Sequence, residues 1–271
     1  MIALSAAPLA PTLAALASGA LIGTILSVLG AGGSILAVPL LIAAVGITDP
    51  HVAIGTAAAA VALNASIALW RQTRMSNVRW PCGLLFALAG VCGAWAGTLL
   101  GKAMNGQKLL ILFGMVMVLV GIASMRRGTD AAVSETVRLT RRTAATLSPR
   151  LAVAGLGTGV ASGFFGIGGG FLIVPSLMVA TGMAMPLAMG TSLVAVAGFG
   201  FTALASYAAS GWVDWGIAAW MSLGGLIGVG LGTRAARSLH ARRLLLSRLF
   251  SGLVIASGAF VIWKGLPALG Q

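Results

Sequence analysis

Apolar runs of membrane-spanning length alternate along this chain with short breaks at glycine, proline or charge, and their order repeats. Residues 12–29 form the first run. A glycine turn follows, then 34–45, which is short for a full crossing, and a break at 46–50. Runs at 53–70, 81–101 and 109–125 complete the group; the loop after the first of these carries Arg71, Arg74 and Arg79, and the next carries Lys102 and Lys108. About 20 apolar residues span a bilayer as a helix, which satisfies its own backbone where no water can. Beyond a polar stretch at 126–150 the pattern starts again, with runs at 151–165, 171–181, 187–208, 216–233 and 244–263. Five segments therefore occur twice, which is the signature of an internal duplication. Residues 1–125 form the first repeat, 126–150 a linker on the cytoplasmic side and 151–271 the second repeat.

The clearest matching pair is glycine-rich. Gly30-Ala31-Gly32-Gly33-Ser34-Ile35-Leu36-Ala37-Val38-Pro39 returns 136 residues later as Gly166-Ile167-Gly168-Gly169-Gly170-Phe171-Leu172-Ile173-Val174-Pro175. After one deletion the register becomes 135, aligning Gly55-Thr56 with Gly190-Thr191 and Val78-Arg79-Trp80 with Val213-Asp214-Trp215. If each glycine-linked pair counts as an even number of crossings, each repeat has an odd total and the halves lie inverted. If it is one broken helix, they lie parallel. Lys and Arg gather on the cytoplasmic side of membrane proteins. The inverted arrangement puts 14 of the 17 basic residues there and leaves Lys102, Lys108 and Lys264 outside. The expected fold is thus an all-α polytopic membrane protein of two inverted five-segment repeats, each with a glycine-broken, re-entrant or half-crossing helix pair. Both termini lie outside the cytoplasm, and the glycine turns sit near mid-membrane.

Composition agrees. The 271 residues are 59% hydrophobic and 8% charged, against about 25% charged in soluble domains, so no sizeable soluble domain fits. The net charge of +13 is scattered through short loops, which argues for orientation in a bilayer and against nucleic-acid binding. Residues 1–12 lack the basic start of a signal peptide, so none is expected. Cys82 and Cys92 fall ten residues apart in one segment, pointing different ways as packing residues. The four acidic residues, Asp49, Asp130, Glu135 and Asp214, all fall in loops or at segment ends. A carboxylate-lined cation path is therefore not supported, and neither a catalytic triad nor a metal spacing is present. The pattern calls for no enzyme, cofactor or metal.

What remains suits a small anion. A helix starting at each glycine turn, at Ser34 and at Gly170, presents free N–H groups and the positive end of its dipole, as the discontinuous helices of inverted-repeat transporters do. Hydroxyls of Thr56, Thr191 and Ser192 could bond a dehydrated polar substrate. Asn64 is the more telling residue, because a buried amide needs partners, and the second half has Phe199 in its place. Candidate substrate-binding residues are Gly30, Gly32, Gly33, Ser34, Thr56 and Asn64 in the first half, and Gly166, Gly168, Gly169, Gly170, Thr191 and Ser192 in the second. His51, near Asp49 at a segment mouth, is a candidate for proton coupling.

The paired Gly-x-Gly-Gly-x-x-x-x-Val-Pro elements, each followed about 15 residues on by Gly-Thr, resemble those of the sulfite exporter TauE/SafE family of membrane permeases. The resemblance covers roughly residues 13–263. It implies a bacterial inner-membrane transporter, an exporter of sulfur-containing anions such as sulfite or organosulfonates. An anion channel, a permease for a non-sulfur anion such as a carboxylate, and a non-transporting scaffold are the alternatives. Implied partners are the anion, the lipid bilayer and a coupling proton or ion; a homo-oligomer is compatible. The copies differ where Gly32-Gly33-Ser34 faces Gly168-Gly169-Gly170 and where Ala57 stands at the position of Ser192, so the halves contribute unequally.

Overall fold

The computed structural model describes residues 9–126, 141–166, 170–238 and 243–265, and all regular structure among them is helical. Helix α1 (Leu9–Leu29) leads through a 3-10 segment (Gly30–Leu36), a short α2 (Ala37–Leu40) and a π turn (Leu41–Val45) to α3 (Pro50–Arg74). Helices α4 (Trp80–Ala103) and α5 (Gly106–Arg126) close the first half. The second half runs α6 (Arg141–Phe165), α7 (Gly170–Thr181), α8 (Met185–Ala209), α9 (Trp215–Ser238) and α10 (Arg243–Gly265). Among the described residues five helices, α1, α3, α4, α8 and α9, are long and apolar enough to cross a membrane. Their starts follow local chemistry. Asp49 caps α3 by accepting from the backbone N–H groups of His51 at 2.8 Å and Val52 at 3.3 Å, and Pro50 occupies the first turn, where its missing N–H is no loss. Prolines also open α4 and α8.

Small residues let backbones touch. Gly93, Gly97 and Gly101 of α4 sit where any Cβ would strike the carbonyls of Leu156, Val160 and Phe164 on α6. Gly224, Gly228 and Gly232 of α9 lie in the same way against Leu16, Ala20 and Thr24 of α1. Partners advance together in steps of four, so both pairs run parallel. Such stripes replace the hydrophobic drive that is missing between helices in lipid. Helices α3 and α8 are the most buried of the five long ones and cross the centre antiparallel, Gly55 meeting Tyr207 and Gly200 meeting Ala62. Helices α5 and α10 also pair antiparallel, through Gly121 on Ile255, Gly114 on Ile262 and Gly265 on Ile111. The first helix of each half thus packs on the fourth of the other, third on third, and fifth on fifth. Exchanging the halves leaves this pairing unchanged.

Helix α6 begins at Arg141, ten residues before the expected 151, with Pro149 inside it; polar turns extend the helix past its apolar run, and 127–140 lie outside the described residues. Phe164 lies against Gly101 in the last turn of α4, so Gly166 is level with the end of α4 rather than with its middle. Cys82 is buried and Cys92 exposed, and neither is in a disulfide.

Candidate functional site

Helix α7, into which the second glycine element continues, packs against the segment Gly30–Leu36 of the first element, and both contact α8. The two elements are built differently. In the first copy the chain reverses through consecutive 3-10 turns, and Gly33 comes back onto its own helix, where a Cβ would press on the backbone of Leu26 and Ile22. Ser34, expected to open a helix, lies inside this 3-10 segment and is fully buried. Turns of this kind bond each N–H three residues back, so Gly30, Gly32, Gly33 and Ser34 do not form a free helix N-terminus. Pro39 then breaks regular bonding, and the π turn ends at left-handed Gly46 (φ 87°).

In the second copy Gly166 is left-handed (φ 65°), its N–H donating to the Gly163 carbonyl at 3.1 Å, with Ile54 where a side chain would stand. Only glycine adopts this without cost. Gly168 and Gly169 lie outside the described residues. Gly170 opens α7 as expected. The first-turn N–H groups of this 12-residue helix have no partner within the helix itself.

The Gly-Thr pairs are engaged with protein. Thr56 Oγ1 accepts the backbone N–H of Asp214 at 3.0 Å, and Thr191 Oγ1 accepts that of Arg79, also at 3.0 Å. Gly55 sits under the carbonyl of Trp212 and Gly190 under that of Asn77. Each dyad is therefore a socket for the loop that precedes the fourth helix of the other half. Ser192 donates to the Met189 carbonyl of its own helix at 2.7 Å. Asn64 stands apart. It is fully buried, its amide lies on Gly225 of α9, and neither amide atom has a hydrogen-bond partner among the described residues. Its counterpart Phe199 lies over Gly90 in the matching place and stacks on Phe86.

Sequence reading alone did not find a polar and aromatic cluster at one end of the bundle. The His51 ring stacks on Trp212 at 4.7 Å, with Tyr207 6.4 Å from His51 and 6.1 Å from Trp212. Lys102 Nζ donates to the carbonyl and hydroxyl of Ser206 and lies 5.8 Å from the Trp212 ring. His51 Nδ1 and Tyr207 Oη are buried without partners among the described residues. Gly166 approaches Tyr207, which puts the cluster beside the second glycine turn. The only signal for it was the position of His51 at a segment mouth.

The sequence model of the family described as "Sulfite exporter TauE/SafE" matches residues 15–261. A "Probable membrane transporter protein" of Xylella fastidiosa is 43% identical over 252 residues, 93% of this chain and 95% of the relative. "Probable membrane transporter protein YunE" of Bacillus subtilis is 27% identical over 65% of this chain and 70% of its own length. "Probable membrane transporter protein MJ0441" of Methanocaldococcus jannaschii is 28% identical over 60% of each chain. No solved structure matches the chain. Apolar helices, glycine-striped pairs and a match over nearly the whole length lead to one conclusion: this chain belongs to the TauE/SafE sulfite exporter family of multi-pass membrane transporters.

Proposed function

We propose that this protein is a secondary transporter of the inner membrane that exports small sulfur-containing anions such as sulfite or organosulfonates. The two halves, 1–125 and 151–271, lie inverted in the bilayer with both termini outside the cytoplasm. Antiparallel packing of the equivalent helices α3 with α8, and α5 with α10, supports the inversion. The arginine-rich loops support the orientation. The observation that carries the site is the packing of α7 against Gly30–Leu36. The substrate binds at the N-terminus of α7, which Gly170 opens and which Gly168 and Gly169 precede in the sequence, where amide donors and the helix dipole act on it without a fixed counter-charge. The first glycine element forms the opposing wall. Asn64 supplies an amide donor from the first half only, and His51 is the candidate group for proton coupling.

Transport follows if one half rocks against the other around these elements, exposing the site to each side in turn. Counterflow in liposomes tests this. Vesicles loaded with unlabelled sulfite should accumulate radiolabelled sulfite from outside faster than empty vesicles. Flux without trans-stimulation would replace the carrier with an anion channel. Stimulation by a small carboxylate in place of sulfite or a sulfonate would replace the substrate.

A further inference from the structure

At the far end of α3 and α9 from the His51 cluster, a pocket of about 360 Å³ is lined by Trp70, Arg71, Arg74, Met75, Thr233 and Arg234. Two of its three arginines are held in place. Arg71 Nη1 donates to Thr233 Oγ1 at 2.9 Å and to the Val229 carbonyl at 3.4 Å, bracing its guanidinium across to α9. The Arg74 guanidinium lies 4.2 Å above the Trp70 ring, an arrangement that fixes the fork by cation–π attraction and leaves its N–H edge free to meet an anion. Three guanidiniums within one pocket repel one another unless an anion joins them. The two carboxylates among the described residues are remote: Asp49 caps the start of α3, and Asp214 lies just before the start of α9 and accepts from the Ile217 N–H. A helix of this length puts about 36 Å between its ends. The rim is apolar and exposed, with Trp70 at 57% and Met75 at 38%, as for side chains that sit at the headgroup level of a bilayer.

We propose that this pocket binds the phosphate headgroup of an anionic phospholipid of the adjoining leaflet, which the orientation above makes the cytoplasmic one. The guanidiniums take the phosphate oxygens, and Trp70 and Met75 lie along the glycerol and upper acyl chains. An oxoanion is the shared chemistry of a lipid phosphate and a soluble phosphate or sulfite; the exposed apolar rim selects the amphipathic source. The site is separate from the α7 element and does not require that the protein transport anything.

The test is native mass spectrometry of the full-length protein released from micelles containing phosphatidylglycerol or phosphatidylcholine. The wild type should retain one phosphatidylglycerol in preference to phosphatidylcholine. In Arg74→Gln/Arg234→Gln that lipid should bind about 30-fold more weakly, at about fivefold per guanidinium near a membrane surface. Arg74→Lys/Arg234→Lys should restore much of the affinity. Both arginines are exposed, and Arg71 with its bonds to α9 is left intact, so the fold is kept. Equal retention of the two lipids, or equal retention by wild type and the Gln variant, would overturn the proposal. So would inorganic phosphate or sulfite binding in an arginine-dependent way with no preference among lipids, which would make the pocket a mouth for soluble anions. Sulfite counterflow on the same preparations reports on transport independently.

Discussion

Asn64 concentrates the difference between the halves. In the duplicated frame it occupies the place of Phe199, and both lie over a glycine of a neighbouring helix. The phenyl ring is satisfied there, whereas the amide is buried with no partner among the described residues. An unsatisfied buried polar group costs about 1–3 kcal/mol, so stability alone does not retain it. Asn64→Leu, close in volume, should therefore raise the thermal unfolding midpoint in detergent while lowering sulfite flux at least about tenfold, the discrimination expected when a bound polar group loses its partner. A lowered midpoint with normal flux would make Asn64 a packing residue. The threonine sockets predict the opposite pattern. Thr56→Val and Thr191→Val each strand one backbone N–H at an interface between halves, and each should lower stability by about 1–3 kcal/mol, measured by thermal unfolding. Because the two bonds are equal in length, the two losses should be alike. Sequence matching located these threonines but not their partner in the protein: the atom bound by Thr56 lies 158 residues away, and no local pattern encodes that.

Among elements, the parallel pairs α1 with α9 and α4 with α6 rest on backbone contact. Gly228→Leu forces a side chain into the carbonyl of Ala20 and should destabilise by about 1–3 kcal/mol or more. Gly157, two positions from the same kind of stripe, has open space around it. Gly157→Ala should be neutral or stabilising by up to about 1 kcal/mol through helix propensity. Thermal unfolding of the two variants side by side checks both. Helix existence was legible from apolar run length alone, because in lipid a long apolar run has one stable backbone solution. Helix ends were not. The start of α6 at Arg141 lies among charged residues, where hydropathy carries no signal. The 3-10 character around Ser34 depends on Gly33 seating against Leu26, a contact made only after the chain has turned. The His51, Tyr207 and Trp212 rings come from α3, the end of α8 and the loop after it, so their meeting follows from the crossing of α3 and α8.

For the whole molecule, the proposed orientation is open to direct labelling. With Cys82→Ala and Cys92→Ala as background, an impermeant thiol reagent should label Lys108→Cys in intact cells and Ser76→Cys only after permeabilisation, since the two exposed sites flank opposite ends of α4. The reverse result would invert the protein. The exchange pattern of helices also bears on how the chain can be assembled. Neither half contains the partner of its own first helix, and each carries the socket for a loop it does not own. A cut between residues 135 and 136 severs one peptide bond and none of these described contacts. Two separately encoded polypeptides, 1–135 and 136–271, should therefore find each other in the membrane and restore sulfite flux when co-expressed, while either one alone should be degraded. Such a protein has the wiring of a dimer whose subunits were later joined end to end, and the fused gene still carries the terms of that partnership.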